Sequence, residues 1–303
     1  MHGTSETTER SMDPAGHLLP NRAFTDLDRS PAPGLVRIVE SALTSIERAC
    51  QDDYLLCEEY PHGGGTGRPF FSPFVLACSV VLMVPLIRIH GVLGPWRPES
   101  RRLLERMVQR LTSTPHRDGR FNFFGDRLSE CDLDTTAVVN LALLLTDGQT
   151  KLQADPFAVA LDLWDPSFGA YKTWFDRTPN RVDWGVNSNF NLLLNTMGLR
   201  ATWLEGYLAR YEVKFLSCGS HYYPWSGLPV LLREAVKPGG RHKSTTPPMA
   251  EPAARMGLGK TCLRERRIYF RGNRGLFGSR LLDNVVDLCL LNRNSGDNLC
   301  RMG

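Results

Sequence analysis

The sequence lacks a hydrophobic run long enough to cross a membrane. Its most apolar segment, FVLACSVVLMVPLIRI (Phe74–Ile89), is interrupted by Pro85 and Arg88. The clean stretch of about 14 residues is shorter than the roughly 20 that a bilayer-spanning helix needs, so a buried helix is predicted there. The N-terminus also lacks a basic head followed by an apolar stretch, which argues against a secretory signal peptide. We therefore expect a cytoplasmic protein.

Several kinds of metal and cofactor site are also missing from the sequence. The eight cysteines are scattered without a C-x-x-C pair, which fits reduced thiols better than a zinc site or a disulfide framework. There is no P-loop, dinucleotide fingerprint or H-E-x-x-H, and DDYLL (52–56) lacks the second acid of a D-D-x-x-D metal motif. No metal site is predicted. The mild net charge of +4 does not suggest a nucleic-acid partner.

What the chain does have is a series of apolar helical segments. Of its 303 residues, 42% are hydrophobic and 22% are charged, as in an ordinary globular protein. Most segments show apolar spacing of i, i+3 and i+4 without a convincing strand pattern, so an all-α fold is predicted. We expect a single domain at 34–292 with an irregular basic insertion at 237–274, a disordered tail at 1–33 and a second tail at 293–303.

A repeat of about 50 residues underlies these segments. GRFNFFGD (Gly119–Asp126) precedes a helix that opens at Asp132, and GAYKTWFD (Gly169–Asp176) precedes a helix that opens at Asp183. An aromatic loop, an apolar helix and a second helix in each unit are typical of stacked helical hairpins. Several such units favour a closed or nearly closed α/α toroid, whose inner helices begin on one rim around a cavity.

Two carboxylates stand where one apolar helix begins, in CDLDTTAVVNLALLL (Cys131–Leu145). Asp132 is a good N-cap, and carboxylates in a first turn suit the helix dipole, so capping is one interpretation. The other interpretation is catalytic. Two carboxyl groups in apolar surroundings cannot both ionise cheaply, so one pKa rises and an acid stays protonated at neutral pH. Asp134, aimed into an aromatic cavity, could then protonate an alkene.

The segment DLDTTA resembles the D-x-D-D-T-A motif of class II terpene cyclases, which include squalene–hopene cyclases and belong to the prenyltransferase and squalene-cyclase repeat superfamily. The resemblance implies that Asp134 donates the proton that starts cyclisation and that Asp132 is the first motif acid. Thr135 stands where a second adjacent Asp is usual, a D-x-D-T-T form known among drimane-type sesquiterpenoid cyclases. Its hydroxyl can hydrogen-bond Asp134 but cannot supply a neighbouring charge.

Aromatic and polar residues near the same rim are candidates for substrate contact. A migrating carbocation needs aromatic faces and the absence of water. Phe124, Trp174 and Tyr222 are predicted to supply such faces because of their places in the repeat, and core packing is the alternative for each. Asp183 and Asn187 share one helix face. Either they bind the polar head of the substrate or orient the acid, or they form interhelical hydrogen bonds.

The leading hypothesis is a terpene cyclase that protonates a linear isoprenoid, a polyprenyl diphosphate or a related terpenoid. The resemblance implies no redox cofactor. Mg²⁺ and Arg120, Arg127 or Arg177 would hold a diphosphate if the substrate keeps one. Family enzymes commonly place the site between two helical domains, so a partner subunit, self-association or a one-domain pocket must complete it here. Peripheral membrane contact is a further hypothesis.

A different class of function stays open. The alternative is a non-catalytic helical-repeat module whose cavity holds a lipid or a protein partner. A carbohydrate-cleaving toroid is a weaker candidate, because sugar-cutting pairs of carboxylates work across a polar cleft.

Overall fold

The computed structural model describes residues 33–51, 57–61, 68–88, 96–114, 118–126, 128–147, 155, 158, 160–236, 268–271, 275–279 and 281–289. Within them the chain is mostly helical, as the apolar periodicity predicts. Arg37–Gly303 form one compact unit, and Met1–Val36 form another, of which residues 33–36 are described. Nearly all of both predicted tails, and most of the predicted insertion at 237–274, lie outside the described residues.

The helices follow the predicted apolar segments, with bounds that differ by a few residues. They are α1 (Pro33–Gln51), α2 (Pro73–Arg88), α3 (Arg97–Thr112), α4 (Leu133–Asp147), α5 (Trp184–Thr196), α6 (Thr202–Cys218), α7 (Gly227–Val236) and α8 (281–289). Polar caps begin four of them: Ser72 Oγ accepts from Val75 N before α2, Ser279 Oγ accepts from Leu282 N before α8, and Asp132 and Asp183 do the equivalent before α4 and α5. Each cap satisfies amide groups that the first turn leaves unpaired.

Four of these helices pack in a cyclic order. α2 contacts α4 and α7, and each of those contacts α5, while α3 packs on α2 and α4, and α6 packs on α5. α2 is buried along nearly its whole length from Phe74 to Val84, which explains why apolar residues occupy all of its faces. None of the helices in the described ranges is long and apolar enough to cross a membrane.

Two small antiparallel sheets accompany the helices and were not expected from the sequence. One has the strand order β2-β1-β6-β5, and the other pairs β3 with β4. The strands are β1 (Cys57–Pro61), β2 (Arg68–Phe70), β3 (Trp164–Asp165), β4 (Ala170–Tyr171), β5 (Ile268–Arg271) and β6 (Gly275–Gly278). Because β2 and β6 end just before α2 and α8, the larger sheet brings those two helix starts together. The rings of Phe70 and Phe277 lie 5.8 Å apart there.

The starts of α4 and α5 hold the aromatic loops that precede them in the same way. In α4, Thr136 Oγ1 accepts a hydrogen bond from Phe121 N at 3.0 Å. In α5, Asn187 Oδ1 accepts from Tyr171 N at 2.8 Å, and Asn187 Nδ2 donates to Tyr171 O at 2.8 Å. Both polar residues lie four positions after the capping aspartate. One buried side chain in each helix therefore fixes its aromatic loop.

Candidate active site

Asp132 caps α4, and Thr135 donates a hydrogen bond to each of its two carboxylate oxygens. Its Oδ1 accepts from Thr135 N at 2.7 Å, and its Oδ2 accepts from Thr135 Oγ1 at 2.9 Å. The hydroxyl of Thr135 therefore serves Asp132 and not Asp134, to which the sequence alone could equally have directed it. Both donors favour the ionised form of Asp132.

Asp134 lies in the first turn of α4 and reaches two side chains from other parts of the fold. Its Oδ1 accepts from Asn189 Nδ2 of α5 at 2.9 Å. Its Oδ2 accepts a short hydrogen bond from the phenol of Tyr223, which lies in the loop before α7. Asp134 is 8% exposed, and that exposed part faces a cavity.

Burial raises the pKa of both carboxyl groups of the motif, Asp132 and Asp134. Burial raises the pKa of Asp134 to about 8, the charge of Asp132 adds to the rise, and the hydrogen bonds from Tyr223 and Asn189 oppose it. Burial also raises the pKa of Asp132 to about 7, against the hydrogen bonds from Thr135. Because the two carboxyl groups interact, their protons belong to the pair. The pair retains at least one proton at pH 7, and both groups line the cavity, with Asp134 the more exposed of the two at 8% against 3%.

The cavity beside Asp134 has a volume of about 500 Å³, within the range of small-molecule sites. Asp132, Asp134 and Thr135 all line it, as the motif predicts. Nearly half of its other lining residues are aromatic. The aromatic residues that line it are Phe74, Phe123, Phe124, Trp174, Tyr222 and Phe277.

The three predicted aromatic contacts all lie in this wall, in two groups. Trp174 Nε1 donates to Tyr222 Oη at 2.7 Å, which fixes the two rings edge to face. Phe124 packs against Phe123 and Phe277, with ring centroids 5.6 and 6.2 Å away. Phe124 remains 39% exposed, so it stands at the opening of the cavity rather than at its base.

Asp183 and Asn187 are not brought to the cavity. Asp183 caps α5 through Gly185 N at 2.8 Å, and it also accepts from Ser220 Oγ at 2.9 Å and Tyr222 N at 3.2 Å. The side-chain amide of Asn187 is hydrogen-bonded to the backbone N–H and C=O groups of Tyr171. Both side chains are buried and bonded to the protein's own loops. The geometry supports their structural interpretation, with Asp183 holding the loop that carries Tyr222 and Tyr223.

Two residues that touch the acid were missed by sequence reasoning. Asn189 lies two positions after Asn187, about 200° around the helix, so it points to the opposite side of α5 and reaches Asp134. The signal was present: polar residues on both sides of an apolar helix cannot all face one neighbour. Tyr223 directly follows the predicted contact Tyr222, but nothing in the sequence distinguished its phenol from those of the other aromatic loop residues.

Charged groups gather at the opening of the cavity. Glu130, Arg177 and Arg271 line it. Arg177 Nε lies 3.8 Å from Glu130 Oε2, and its guanidinium stands 5.2 Å from the centroid of the Trp174 ring. Arg120 instead stacks on Phe175 and does not line the cavity. Arg127 lies outside the described residues. No group of three His, Cys, Asp or Glu side chains suited to a metal ion occurs in the described ranges.

Comparison with solved structures gives weak likenesses to a type II terpene cyclase. No family model matches the chain, and no curated protein matches it. A variant of the type II terpene cyclase MstE from Scytonema, in complex with its substrate geranylgeranyl dihydroxybenzoate, is 12% identical with a TM-score of 0.44 over 68% of this chain and 60% of that chain. The apo form of MstE is 13% identical with a TM-score of 0.42, over 66% and 59%. The chain thus spans about three fifths of the length of that cyclase. At this level the likeness by itself assigns neither a fold nor an activity.

Proposed function

We propose that the protein is a class II-type terpene cyclase that starts the cyclisation of a linear isoprenoid with a proton from Asp134. One observation carries the proposal: a buried carboxyl group with a pKa of about 8 faces a cavity walled by aromatic rings. A neutral carboxylic acid is what protonation of a hydrocarbon requires, and the resemblance of DLDTTA to the cyclase motif points to the same residue.

The chemistry begins with transfer of the Asp134 proton to a terminal C=C bond or epoxide of the substrate. The resulting carbocation is attacked by the next C=C bond of the same chain, so each ring closes by forming one C–C bond and moving the charge onward. Loss of a proton or capture of water ends the sequence. Asp134, now a carboxylate, is stabilised by the Tyr223 and Asn189 donors and must take up a proton before the next turnover.

The aromatic wall suits a migrating positive charge. A cation over an aromatic face gains about 2 kcal/mol where water is excluded. Trp174 and Tyr222 offer π-faces from one part of the wall, and Phe123, Phe124 and Phe277 from another. The aromatic part of the wall gives a cation beside it no nucleophile, so that ring closure there competes well with premature quenching.

The proposal extends to the architecture and the head group. An α/α toroid would explain the cyclic packing of α2, α4, α5 and α7. Arg177 and Arg271 at the opening are suited to an anionic head such as a diphosphate, since guanidinium groups bind phosphate oxygens in pairs. Mg²⁺ would be needed only for such a substrate. A second copy or a partner subunit over the opening would complete the enclosure.

The test is incubation of the protein with farnesyl and geranylgeranyl diphosphates, their alcohols and their epoxides, followed by gas chromatography of the extracts. The wild type should give a cyclised product from at least one of them. Asp134→Asn should give none while it still binds that substrate, because the amide cannot donate an acidic proton. Asp162→Asn is the matched control, since Asp162 is largely exposed and should leave the product unchanged.

The result also decides against the alternative. Folded protein that converts none of these substrates, or that behaves identically with Asn at position 134, would favour a helical-repeat module that binds a lipid or a protein partner.

A further inference from the structure

Three buried side chains from three segments form a closed hydrogen-bonded triangle. Asn189 Nδ2 donates to Asp134 Oδ1 at 2.9 Å and to Tyr223 Oη at 2.9 Å, and the Tyr223 hydroxyl donates to Asp134 Oδ2. Asn189 and Tyr223 are fully buried. Of the three, Asp134 alone lines the cavity. The Thr135 hydroxyl, which binds Asp132 at 2.9 Å, is not part of this triangle.

Counting hydrogens shows what the triangle does to the acid. A side-chain amide has two N–H donors and a phenol has one. Both Asn189 hydrogens and the phenol hydrogen are directed at oxygens of the triangle, with one donor reaching each oxygen of Asp134. The donors approach from the protein side. The acid proton of Asp134 is therefore left with the lone pairs that face the cavity.

We propose that Asn189 and Tyr223 act as a neutral donor pair that strengthens the Asp134 acid and directs its proton into the cavity. This inference rests on the proposed function, since it assigns positioning residues for the same proton transfer. Both hydrogen bonds strengthen when Asp134 becomes a carboxylate, because an ionised acceptor binds donors more tightly than a neutral one. The pair thus favours the state that follows proton transfer without adding a charge to the site.

The fold makes room for this arrangement at one glycine. Gly185 lies in the first turn of α5, and a Cβ there would overlap the ring of Tyr223. The phenol can lie against the helix backbone and reach Asp134 only because that side chain is missing. From its other side the ring meets Phe74, with centroids 6.4 Å apart. The ring of Tyr223 is therefore held by packing as well as by its hydroxyl.

Other titratable groups also act on Asp134 and bear on any test by pH. Asp132 stands two residues before it, Cys78 lies on the neighbouring α2, and Asp183 lies at the start of α5. Burial raises the pKa of the Cys78 thiol and of the Tyr223 phenol well above their ordinary values. Both stay neutral while Asp134 titrates. The donor pair is therefore separable from the charges of Asp132 and Asp183 by substitution.

The experiment is an infrared titration of the protonated carboxyl band of Asp134, assigned by its loss in Asp134→Asn. Tyr223→Phe keeps the ring and removes one oxygen. It should move the midpoint of this band upward by about one pH unit or more, the size expected for a hydrogen bond to an ionised group. Tyr207→Phe, which removes a phenol from a buried position on α6, is the matched control and should leave the midpoint in place.

Asn189→Leu is the second variant, and it should shift the midpoint in the same direction if Tyr223→Phe does not fold. An unchanged midpoint in a folded variant of either kind would overturn the donor pair. So would the absence, at pH 6, of any protonated carboxyl band that Asp134→Asn removes.

The pH dependence of turnover separates this inference from the proposed function. The rate of cyclisation should fall as the pH rises through the pKa of Asp134, because only the protonated acid can donate. In Tyr223→Phe the falling part, or limb, of the curve of rate against pH should move to higher pH by the same amount. The rate at pH values below it should be lower than in the wild type. A purely structural role would lower the rate without moving the limb. The titration needs no substrate, so a protein without cyclase activity can still show the shift, and a cyclase with an unmoved limb overturns only the donor pair.

Discussion

The starts of α4 and α5 are two versions of one unit, and two of the positions at which they differ decide what each does at the site. Both begin with a capping aspartate, Asp132 or Asp183, and both hold an aromatic loop through the side chain four positions later. Between these points α4 has Asp134 and Thr135, whereas α5 has Gly185 and Val186. The acid of one helix and the glycine of the other meet at Tyr223, which packs on Gly185 and binds Asp134.

This comparison shows how one scaffold supports two tasks. The Asp132 carboxylate accepts from Thr135 in its own helix turn and from the backbone of Phe123 in the preceding loop, and Asp134 lines the cavity beside it. The Asp183 carboxylate binds Ser220 and the backbone of Tyr222, so the second unit anchors the loop that completes the site. The second unit thus holds the loop that surrounds Asp134 of the first, and each difference between them can be tested.

The largest expected effect comes from removing the two capping carboxylates in turn. Asp183→Ala leaves Gly185 N, Ser220 Oγ and Tyr222 N without their acceptor in a buried place, and should lower the free energy of unfolding by about 3 kcal/mol or more. Asp132→Ala removes a local cap and should cost about 1 to 2 kcal/mol. Urea unfolding at pH 7 compares them. Equal losses would mean that the contacts of Asp183 to the second loop contribute little.

The next largest effect is the pH dependence that Asp134 adds to the first unit, beside that of Asp132 and Asp183, whose pKa values burial also raises. The pKa of Asp134 is about 8 in the folded protein and about 3.9 in an unfolded chain. Between these values the folded state holds a proton that the unfolded state has released. Wild-type stability should therefore fall as the pH rises, by about 1.4 kcal/mol for each pH unit for this one group.

Asp134→Asn removes that proton and should lessen the fall of stability between pH 5 and pH 8 by about 1.4 kcal/mol per pH unit. The contributions of Asp132 and Asp183, whose pKa values burial also raises, remain in the variant. Its stability relative to the wild type should increase steadily across this range. Denaturant unfolding at several pH values measures the two curves. Asp162→Asn should follow the wild type, and parallel curves for the wild type and Asp134→Asn would mean that Asp134 is ionised throughout.

A smaller effect is expected from adding one methyl group to the second unit. Gly185→Ala forces the ring of Tyr223 away from α5, and overpacking of this kind costs about 1 to 3 kcal/mol. The displaced phenol should also weaken its bond to Asp134. Gly206→Ala is the control: it lies on α6 with open space around it, and should stabilise the helix by up to about 1 kcal/mol. If both variants unfold alike, Tyr223 is not fixed by Gly185.

The sequence predicted the parts of this site that depend on local rules. The caps at Asp132 and Asp183, the carboxyl group at Asp134 and the aromatic loop residues Trp174 and Tyr222 follow from helix signals and the repeat. The larger sheet was missed because its strands are short, and because Glu58 pairs with Gly278 across more than two hundred residues. Strand pairing at such a distance leaves no pattern in either segment alone.

The contacts to the acid could not be read from the sequence for a related reason. Which side of α5 meets α4 depends on how the two helices cross, and a polar stripe does not reveal that crossing. The stripe led to Asn187 as a substrate contact, whereas its amide binds the loop and Asn189 reaches Asp134. The sequence also suggested that the Thr135 hydroxyl binds Asp134, whereas in the structure it binds Asp132. Both carboxyl groups lie within one helix turn of Thr135, so sequence spacing cannot separate them.

The smallest effect should come from making the two units the same three residues after the capping aspartate, where α4 has Thr135 and α5 has Val186. Thr135→Val puts into α4 the residue type that α5 has at Val186. It keeps the shape of the side chain and removes the hydroxyl that donates to Asp132. The bond favours the carboxylate form of Asp132, whose pKa is about 7. Its loss should raise that pKa, and should cost about 1.5 kcal/mol above it and less below it. Denaturant unfolding at pH 8 and pH 5 measures the two costs, and equal costs would mean that Asp132 does not ionise in this range. The pH midpoint of the infrared carboxyl band of Asp134 should move little, because the Thr135 hydroxyl donates to Asp132 and not to Asp134.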